Sequence, residues 1–253
     1  MRTAIIIPAR YASRRLPGKP LLRQTGKYLV QHVYERACQA RGVDYVIVAT
    51  DDPRIQKAVE SFGGNVVRTH RDHPSGTDRV AEVAGQLEVD LVLNLQGDEP
   101  LIDPGNLELL FDLLGKNPDA TMATLATPLR TEEQWRNPNC VKVVCDTAGR
   151  ALYFSRSPIP YVRDGRPDFA LRPARFLQHV GLYAYRRSFL LRLAALPPEP
   201  LEQLEKLEQL RVLALGHSIQ VGVIEESGFG VDTYEDYERF VLTYRSKPTD
   251  CAA

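Results

Sequence analysis

The sequence predicts an α/β fold: a mixed, mostly parallel central sheet flanked by helices, with a smaller antiparallel lobe in the second half of the chain. Three observations carry this. Short β-branched runs alternate with amphipathic stretches of helical length through the first half. The strand candidates are apolar along most of their length, as in Val92-Leu93-Asn94-Leu95, which suits strands buried on both faces beneath helices. Beyond about residue 128, strands follow one another through loops rather than helices, the pattern of antiparallel pairing.

Taken in order, strands are expected at Ala4–Ile7, Tyr45–Ala49, Val66–Arg68, Leu91–Leu95 and Thr121–Ala126. Helices are expected between them near Leu29–Arg41, Pro53–Phe62, Thr77–Leu87 and Gly105–Lys116. The arrangement is Rossmann-like, and right-handed crossovers then place a ligand at the carboxyl ends of the strands. In the second half, Val141–Cys145, Ala151–Phe154 and Val180–Tyr185 read as strands. Arg163–Pro173, rich in Pro, Arg, Asp and Gly, reads as a mobile loop. A single helix over Leu201–Leu215 follows the Pro197-Pro198 break, then a strand Ile219–Ile224, a helix Tyr234–Tyr244 and a frayed tail after Pro248. The whole of 1–253 is expected to be one domain, with a first lobe over 1–127, a second over 128–215, and a return to the first over 216–253.

Lys+Arg and Asp+Glu are equal at 32 each, so no global basic field points to nucleic acid, and any anion site must be built locally. No run is long enough to span a bilayer, and the start of the chain lacks a signal-peptide pattern. Cys38, Cys140, Cys145 and Cys251 are scattered, and Cys140 and Cys145 flank a valine-rich strand. The expectation is a cytoplasmic, reduced protein without membrane or nucleic-acid partners.

The segment after the first strand holds Arg10, Arg14, Arg15 and Lys19 with no acid among them. Such crowding is costly without an anion, and guanidinium forks match phosphate oxygens. The small residues Ala9, Ala12, Ser13 and Gly18 let backbone N–H groups approach a phosphate too. The spacing is not that of a Walker loop. The competing reading is a solvated basic loop; its position at a strand's carboxyl end favours anion binding.

Strand Asp90–Leu95 runs into Gln96-Gly97-Asp98-Glu99-Pro100. A carboxylate there points into the expected crevice, and Mg²⁺ takes one or two carboxylates together with phosphate oxygens and water. Asp98 is the better ligand candidate; Glu99 supports the loop. Asp232, in Gly230-Val231-Asp232-Thr233, is either a second ligand or the cap of the final helix, and the two roles are compatible. Thr50-Asp51-Asp52-Pro53 imitates a paired-carboxylate motif but reads better as a cap followed by Pro at a helix start. His70 and His73 lack a third convergent ligand, so a zinc site is set aside. Ser75-Gly76-Thr77 opens a helix and presents N–H groups and hydroxyls suited to a ribose or base edge. Arg156, His179 and Glu208-Gln209 each have a structural explanation as a surface ion pair, a strand histidine and a solvated helix face.

Pro8-Ala9-Arg10 with Ser13-Arg14-Arg15-Leu16-Pro17-Gly18-Lys19-Pro20-Leu21 closely resembles the signature loop of the 3-deoxy-manno-octulosonate cytidylyltransferases (CMP-Kdo synthetases). Gln96-Gly97-Asp98-Glu99-Pro100 and Gly230-Val231-Asp232-Thr233 match that family's two metal-binding segments. Tyr153-Phe154-Ser155-Arg156, His179-Val180-Gly181-Leu182-Tyr183 and Leu207-Glu208-Gln209-Leu210-Arg211 match its substrate motifs, in the right order over about Thr3 to Tyr244. One departure is Tyr28, where many relatives have Pro.

The resemblance implies a nucleotidyltransferase fold related to the GT-A class, with sugar binding and dimerisation in the smaller lobe. It implies transfer of CMP from CTP to the anomeric hydroxyl of an acidic eight-carbon sugar, releasing pyrophosphate, for lipopolysaccharide biosynthesis, by a homodimer. CTP would be bound by Ala9, Arg10, Ser13, Arg15, Lys19, Arg71, Ser75, Gly76, Thr77, Gln96 and Gly97. Arg15, Lys19, Asp98 and Asp232 would be catalytic, with Asp98 and Asp232 holding magnesium, two ions in all. Arg156 would hold the sugar carboxylate, His179 and Tyr183 would contact carboxylate or hydroxyls, and Glu208 and Gln209 would read the hydroxyl pattern. The competing readings are a sialic-acid cytidylyltransferase, a glycosyltransferase of related fold (disfavoured by the absence of Asp-x-Asp at the metal), and a non-catalytic nucleotide-binding protein.

Overall fold

The computed structural model describes residues 1–12 and 15–246. These fall into two compact units: one of Arg2–Glu88, Asn94–Gly105 and the chain from Gly228, the other of Met1, Val89–Leu93 and Asn106–Ser227. The division differs from the expected lobes at 127 and 215. The strand near residue 125 pairs on both sides with strands of the second half, and so belongs with them.

In the first unit, β1 (Thr3–Ala9), α1 (Leu29–Ala37), β2 (Tyr45–Thr50), α2 (Pro53–Ser61), β3 (Val66–Arg68) and α3 (Gly76–Gly85) follow one another. The three strands are parallel, in the order β3-β2-β1, with Ala9 opposite Thr50 and Thr50 opposite Arg68. Apolar β1 and β2 are buried along nearly their whole length, as their β-branched runs required. The expected start of α2 is found: Asp52 Oδ1 accepts from Arg54 N–H at 2.8 Å and Pro53 opens the helix. Ser75 and Asp78 form a reciprocal capping box at the start of α3. Helix α1 ends at Ala37, short of the expected Arg41.

β4 (Leu91–Asn94) is fully buried. Just beyond it, Leu95 N–H donates to Ile6 O at 3.1 Å, which lays Gln96-Gly97-Asp98 beside the end of β1. A Cβ on Gly97 would lie 3.0 Å from Pro8 O, so a larger residue would push the two segments apart.

In the second unit, α4 (Pro104–Lys116) precedes β5 (Met122–Pro128), α5 (Glu132–Arg136), β6 (Lys142–Cys145), β7 (Ala151–Ser155), β8 (Leu177–Arg186), α6 (Arg187–Ala194), α7 (Pro200–Glu205), α8 (Gln209–Ala214) and β9 (Ile219–Val223). β6 pairs antiparallel with β7 and β8, as the loop-linked strands predicted, while β5 pairs antiparallel with β8 and parallel with β9. β8 begins at Leu177 rather than Val180 because its first residues pair with both β5 and β6.

The expected single helix over 201–215 is two short ones. Lys206 takes a left-handed conformation (φ 54°) that breaks the helix after α7. The break leaves the Glu205 carboxylate to accept from Ser155 Oγ–H at 2.6 Å and Arg156 N–H at 2.9 Å. It also lets Arg211 pair with Glu202 at 2.6 Å. The loop 163–173 forms no helix or strand. Phe169 and Val162 pack on the buried cluster of Leu129, Trp135 and Phe176, and Trp135 Nε1–H donates to Ile159 O.

The last helix, α9 (Tyr234–Ser246), belongs to the first unit. Its Tyr237, Phe240 and Val241 close a core with Leu16, Leu29 and Val231. Its start is held by Thr233, whose hydroxyl accepts from Asp236 N–H, while the Asp236 carboxylate accepts from the N–H groups of Thr233 and Asp232. Thr233, and not Asp232, is therefore the cap. The tail after Pro248 and Cys251 lie outside the described residues.

Candidate active site

The cationic loop leaves β1 at Ala9, and Gly18 N–H returns to Tyr11 O at 2.9 Å. Gly18 sits in the left-handed region (φ 70°), and a Cβ there would press within 3.1 Å of the Tyr11 ring. The next residue, Lys19, opens a short 3-10 turn. Its ammonium donates to Asp98 Oδ2 at 2.7 Å and to Val231 O at 2.7 Å, and lies 3.5 Å from Asp232 Oδ1. Arg15 reaches Asp232 Oδ2 at 3.2 Å from the solvent side. Ser13 and Arg14 lie outside the described residues.

Asp98 and Asp232, 79 and 213 positions from Lys19, thus converge on one ammonium only 12% exposed. Glu99 beside them is pushed up to about 7, first by burial and then by the charges of Asp98 and Asp232, with Lys19 opposing. Asp98 and Asp232 are hard oxygen donors of the kind a magnesium ion takes, two carboxylates whose remaining partners would be phosphate oxygens and water, and here they share the Lys19 ammonium.

A cavity of about 240 Å³ opens next to this cluster, lined by Pro8, Ala9, Arg10, Lys19, Gly76, Gln96, Gly97 and Asp98. The Arg10 Nη2 is buried there without a hydrogen-bond partner, a donor held for an incoming acceptor. Gly76 faces the cavity from the start of α3, whereas the Ser75 hydroxyl is taken up by its cap with Asp78, and Thr77 is buried. Arg71 does not line this cavity. It lines an adjacent one of about 580 Å³, with Tyr11, Ala12, Arg54 and His70, and Ala12 borders both. His73 pairs with Glu82, whose carboxylate also accepts from His70 N–H.

The residues expected to hold the sugar lie in the second unit. Tyr183 Oη–H donates to Gln209 Oε1 at 3.2 Å, and the His179 ring lies 5.5 Å from the Tyr183 ring. Glu208 raises the Tyr183 pKa further beyond the rise that burial causes. His179 is 9% exposed; its Nε2 meets Thr124 Oγ1 at 2.9 Å and its Nδ1 the Gln209 amide at 3.5 Å. Both ring nitrogens are thus turned to protein partners, so His179 orients Gln209 rather than reaching outward. Arg156 donates to Glu205 O at 2.7 Å and Pro138 O at 2.9 Å.

Three residues of these sites were not foreseen. Lys142, fully buried, donates to the carbonyls of Asn137, Cys140 and Arg156, and so ties the Arg156 backbone to the turn before β6. Its signal was a lysine inside a valine-rich strand. Glu205, which holds Ser155 and Arg156, carried none. Arg79 pairs with Asp51, one of the two acids read together as a helix start.

Burial holds His179 down at about 3, against an ordinary value of 6.5. Below pH 6.5 the unfolded chain takes up a proton that the folded chain refuses. This stability is therefore fully present above pH 6.5 and drains away as pH falls toward 3. On the order of 2 kcal/mol should be lost between pH 6.5 and 5. Urea midpoints should fall over that interval in the wild type and fall less in His179→Gln; equal slopes would refute the assignment.

Oxygen donors and phosphate-seeking cations gathered at the carboxyl ends of parallel strands suit a nucleotidyltransferase. The chain belongs to the cytidylyltransferase family, whose family model matches residues 4–219. A curated 3-deoxy-manno-octulosonate cytidylyltransferase of Syntrophotalea carbinolica is 52% identical over 94% of this chain and 97% of its own length. One of Escherichia coli is 50% identical over 92% of each. The fold matches the solved CMP:2-keto-3-deoxy-manno-octonic acid synthetase complexed with CTP at a TM-score of 0.90 and 47% identity, covering 97% of this chain and 99% of that one. A cytidylyltransferase of Leptospira borgpetersenii shares the fold alone, at a TM-score of 0.63 and 19% identity.

Proposed function

We propose that this enzyme transfers CMP from CTP to the anomeric hydroxyl of 3-deoxy-D-manno-octulosonate, releasing pyrophosphate, as a step of lipopolysaccharide biosynthesis in the cytoplasm. The observation that carries the reading is Lys19 held between Asp98 and Asp232 beside a cavity into which Arg10 presents an unpartnered donor. The half-identical relatives, matched over nearly their full length, supply the sugar.

In the reaction the anomeric hydroxyl oxygen attacks the α-phosphorus in line as its proton passes to solvent, the bond to the bridging oxygen breaks, and pyrophosphate leaves. Arg10, Arg15 and Lys19 neutralise phosphate charge, most strongly as it builds in the transition state. Asp98 and Asp232 would hold the inner of two magnesium ions, which supplies Lewis-acid polarisation at the reacting oxygens and a lower pKa for the attacking hydroxyl. Ala9 and Gly97 line the cavity and would offer it backbone N–H groups, and Gln96 lines it as well. Arg156 meets the sugar carboxylate, and Glu208 and Tyr183 read its hydroxyls, with buried Gln209 holding Tyr183 in place through its side-chain amide.

Incubation with CTP, Mg²⁺ and 3-deoxy-manno-octulosonate should release pyrophosphate, while UTP or sialate in place of either substrate should not. Release with sialate would move the acceptor assignment; no release from folded protein that binds CTP would overturn the reading. Arg156→Ala should raise the sugar KM by about a hundredfold while the CTP KM stays near wild type. A CTP defect of the same size would refute the division into two substrate sites. The working form is a homodimer, and light scattering should return twice the chain mass of 28.4 kDa.

A further inference from the structure

One charged group buried beside the cavity has no part in the reaction described above. Arg79, in the first turns of α3, is 1% exposed, and its Nη2 lies 3.0 Å from Asp51 Oδ1. Its Nη1 donates to Thr69 Oγ1, and its Nε has no hydrogen-bond partner. Burying a guanidinium so completely is expensive unless its charge answers another.

The register shows which charges are at stake. Ala9 lies opposite Thr50 and Thr50 opposite Arg68, so Arg10, Asp51 and Thr69 are the next residues on three adjacent strands. Thr69 N–H continues the ladder to Thr50 O at 3.0 Å. A carboxylate at Asp51 and a guanidinium at Arg10 therefore leave neighbouring strand ends, and opposite charges so placed attract. Arg10 Nη2 and Asp51 Oδ1 are nevertheless both buried without a hydrogen-bond partner, so the two do not bond each other, and the charge nearest Asp51 Oδ1 is the Arg79 guanidinium, an ion-pair contact at 3.0 Å. Arg10 and Arg79 also sense each other: after burial, which lowers the Arg79 pKa most, the Arg10 charge lowers it further against the pull of Asp51.

We propose that Arg79 is a positioning residue: by occupying Asp51 it keeps the neighbouring Arg10 guanidinium open for a phosphate of the nucleotide. The inference rests on the reading of the adjoining cavity as the CTP site. Arg79 contacts no substrate. It acts through Asp51, and the capping box of Ser75 and Asp78 sets its place by fixing where α3 begins.

Four variants test this, each assayed for CTP KM, sugar KM and kcat. Arg79→Met removes the charge and frees Asp51 to capture Arg10. The CTP KM should rise about tenfold, with the sugar KM moving much less. Asp51→Asn combined with Arg79→Met removes the competitor as well, and CTP KM should return to within about threefold of wild type. A purely structural role predicts the opposite, a double variant at least as impaired as the single. That result, or an unchanged CTP KM in folded Arg79→Met, overturns the proposal. Should Arg79→Met fail to fold, Asp51→Asn decides: it leaves nothing to capture Arg10, so a tenfold rise in its CTP KM would also overturn the proposal. Arg10→Ala tests the underlying reading on its own, because an unchanged CTP KM there removes Arg10 from the phosphate site whatever Arg79 does.

Discussion

Asp98→Asn should yield a folded protein whose turnover is lower by about three orders of magnitude at saturating CTP and sugar. The substitution keeps size, shape and one acceptor oxygen, so the Lys19 contact at 2.7 Å can survive in weakened form. What is lost is a negative charge at the point where Asp98 and Asp232 converge, and with it most of the site's hold on a divalent cation. Stability should change little, because two effects oppose. The Lys19 ammonium loses a charged partner, while Glu99 is relieved of a neighbour that raises its pKa. Pyrophosphate release measures the first expectation and a thermal melt the second. A folded variant with near-normal turnover would remove Asp98 from the reaction.

Lys19→Met should combine a large catalytic loss with a real loss of stability. The ammonium donates to Asp98 and Val231 O and offsets Asp232, so its removal leaves a buried carbonyl short of a donor and three carboxylates repelling one another. Breaking a part-buried cluster of this kind costs on the order of 3 kcal/mol, and losing a charge on the phosphates costs about a hundredfold in kcat/KM for CTP. The two losses can be told apart with Mg²⁺. In the variant the added ion should restore part of the melting temperature, because it replaces a missing cation, but not the activity, because Lys19 serves the phosphates as well. Lys19→Arg should not rescue, since a planar fork cannot occupy the compact point reached by three oxygens. Wild-type melting and turnover in Lys19→Met would show that the cluster matters for neither.

Much of this molecule could be read from the chain alone, wherever local chemistry suffices. The β-branched runs became strands because their side chains are apolar on both faces and find cover in helices, as β1, β2 and β4 show. Asp52 and Ser75 became caps because an oxygen two or three residues before a free N–H satisfies it without help from elsewhere. The loop from Arg10 to Lys19 crowds cations without an acid, and Arg10 keeps a buried Nη2 without a hydrogen-bond partner. The order of the substrate motifs pointed to the family before any coordinates did.

Other features depend on groups far apart in the chain. Whether Asp232 capped a helix or served the site was open locally; Thr233 and Asp236 take the cap, and Lys19, 213 positions away, draws Asp232 into the cluster. The helix expected over 201–215 has no proline or glycine to break it. It breaks at Lys206, and the break leaves Glu205 bonded to Ser155 and Arg156, some fifty positions earlier. His179 looked like a group that would touch a ligand, yet Thr124 and Gln209 take both its nitrogens, and only the register of β5 against β8 brings Thr124 there. Asp51 and Asp52 are indistinguishable as neighbours in sequence; a buried arginine on another helix separates them, leaving one a cap and the other an ion-pair partner. Local preferences select strands, caps and turns because their partners lie within a few residues. Charge pairs and buried hydrogen bonds choose among distant candidates, and that choice is made only when packing removes the water that would otherwise satisfy them all.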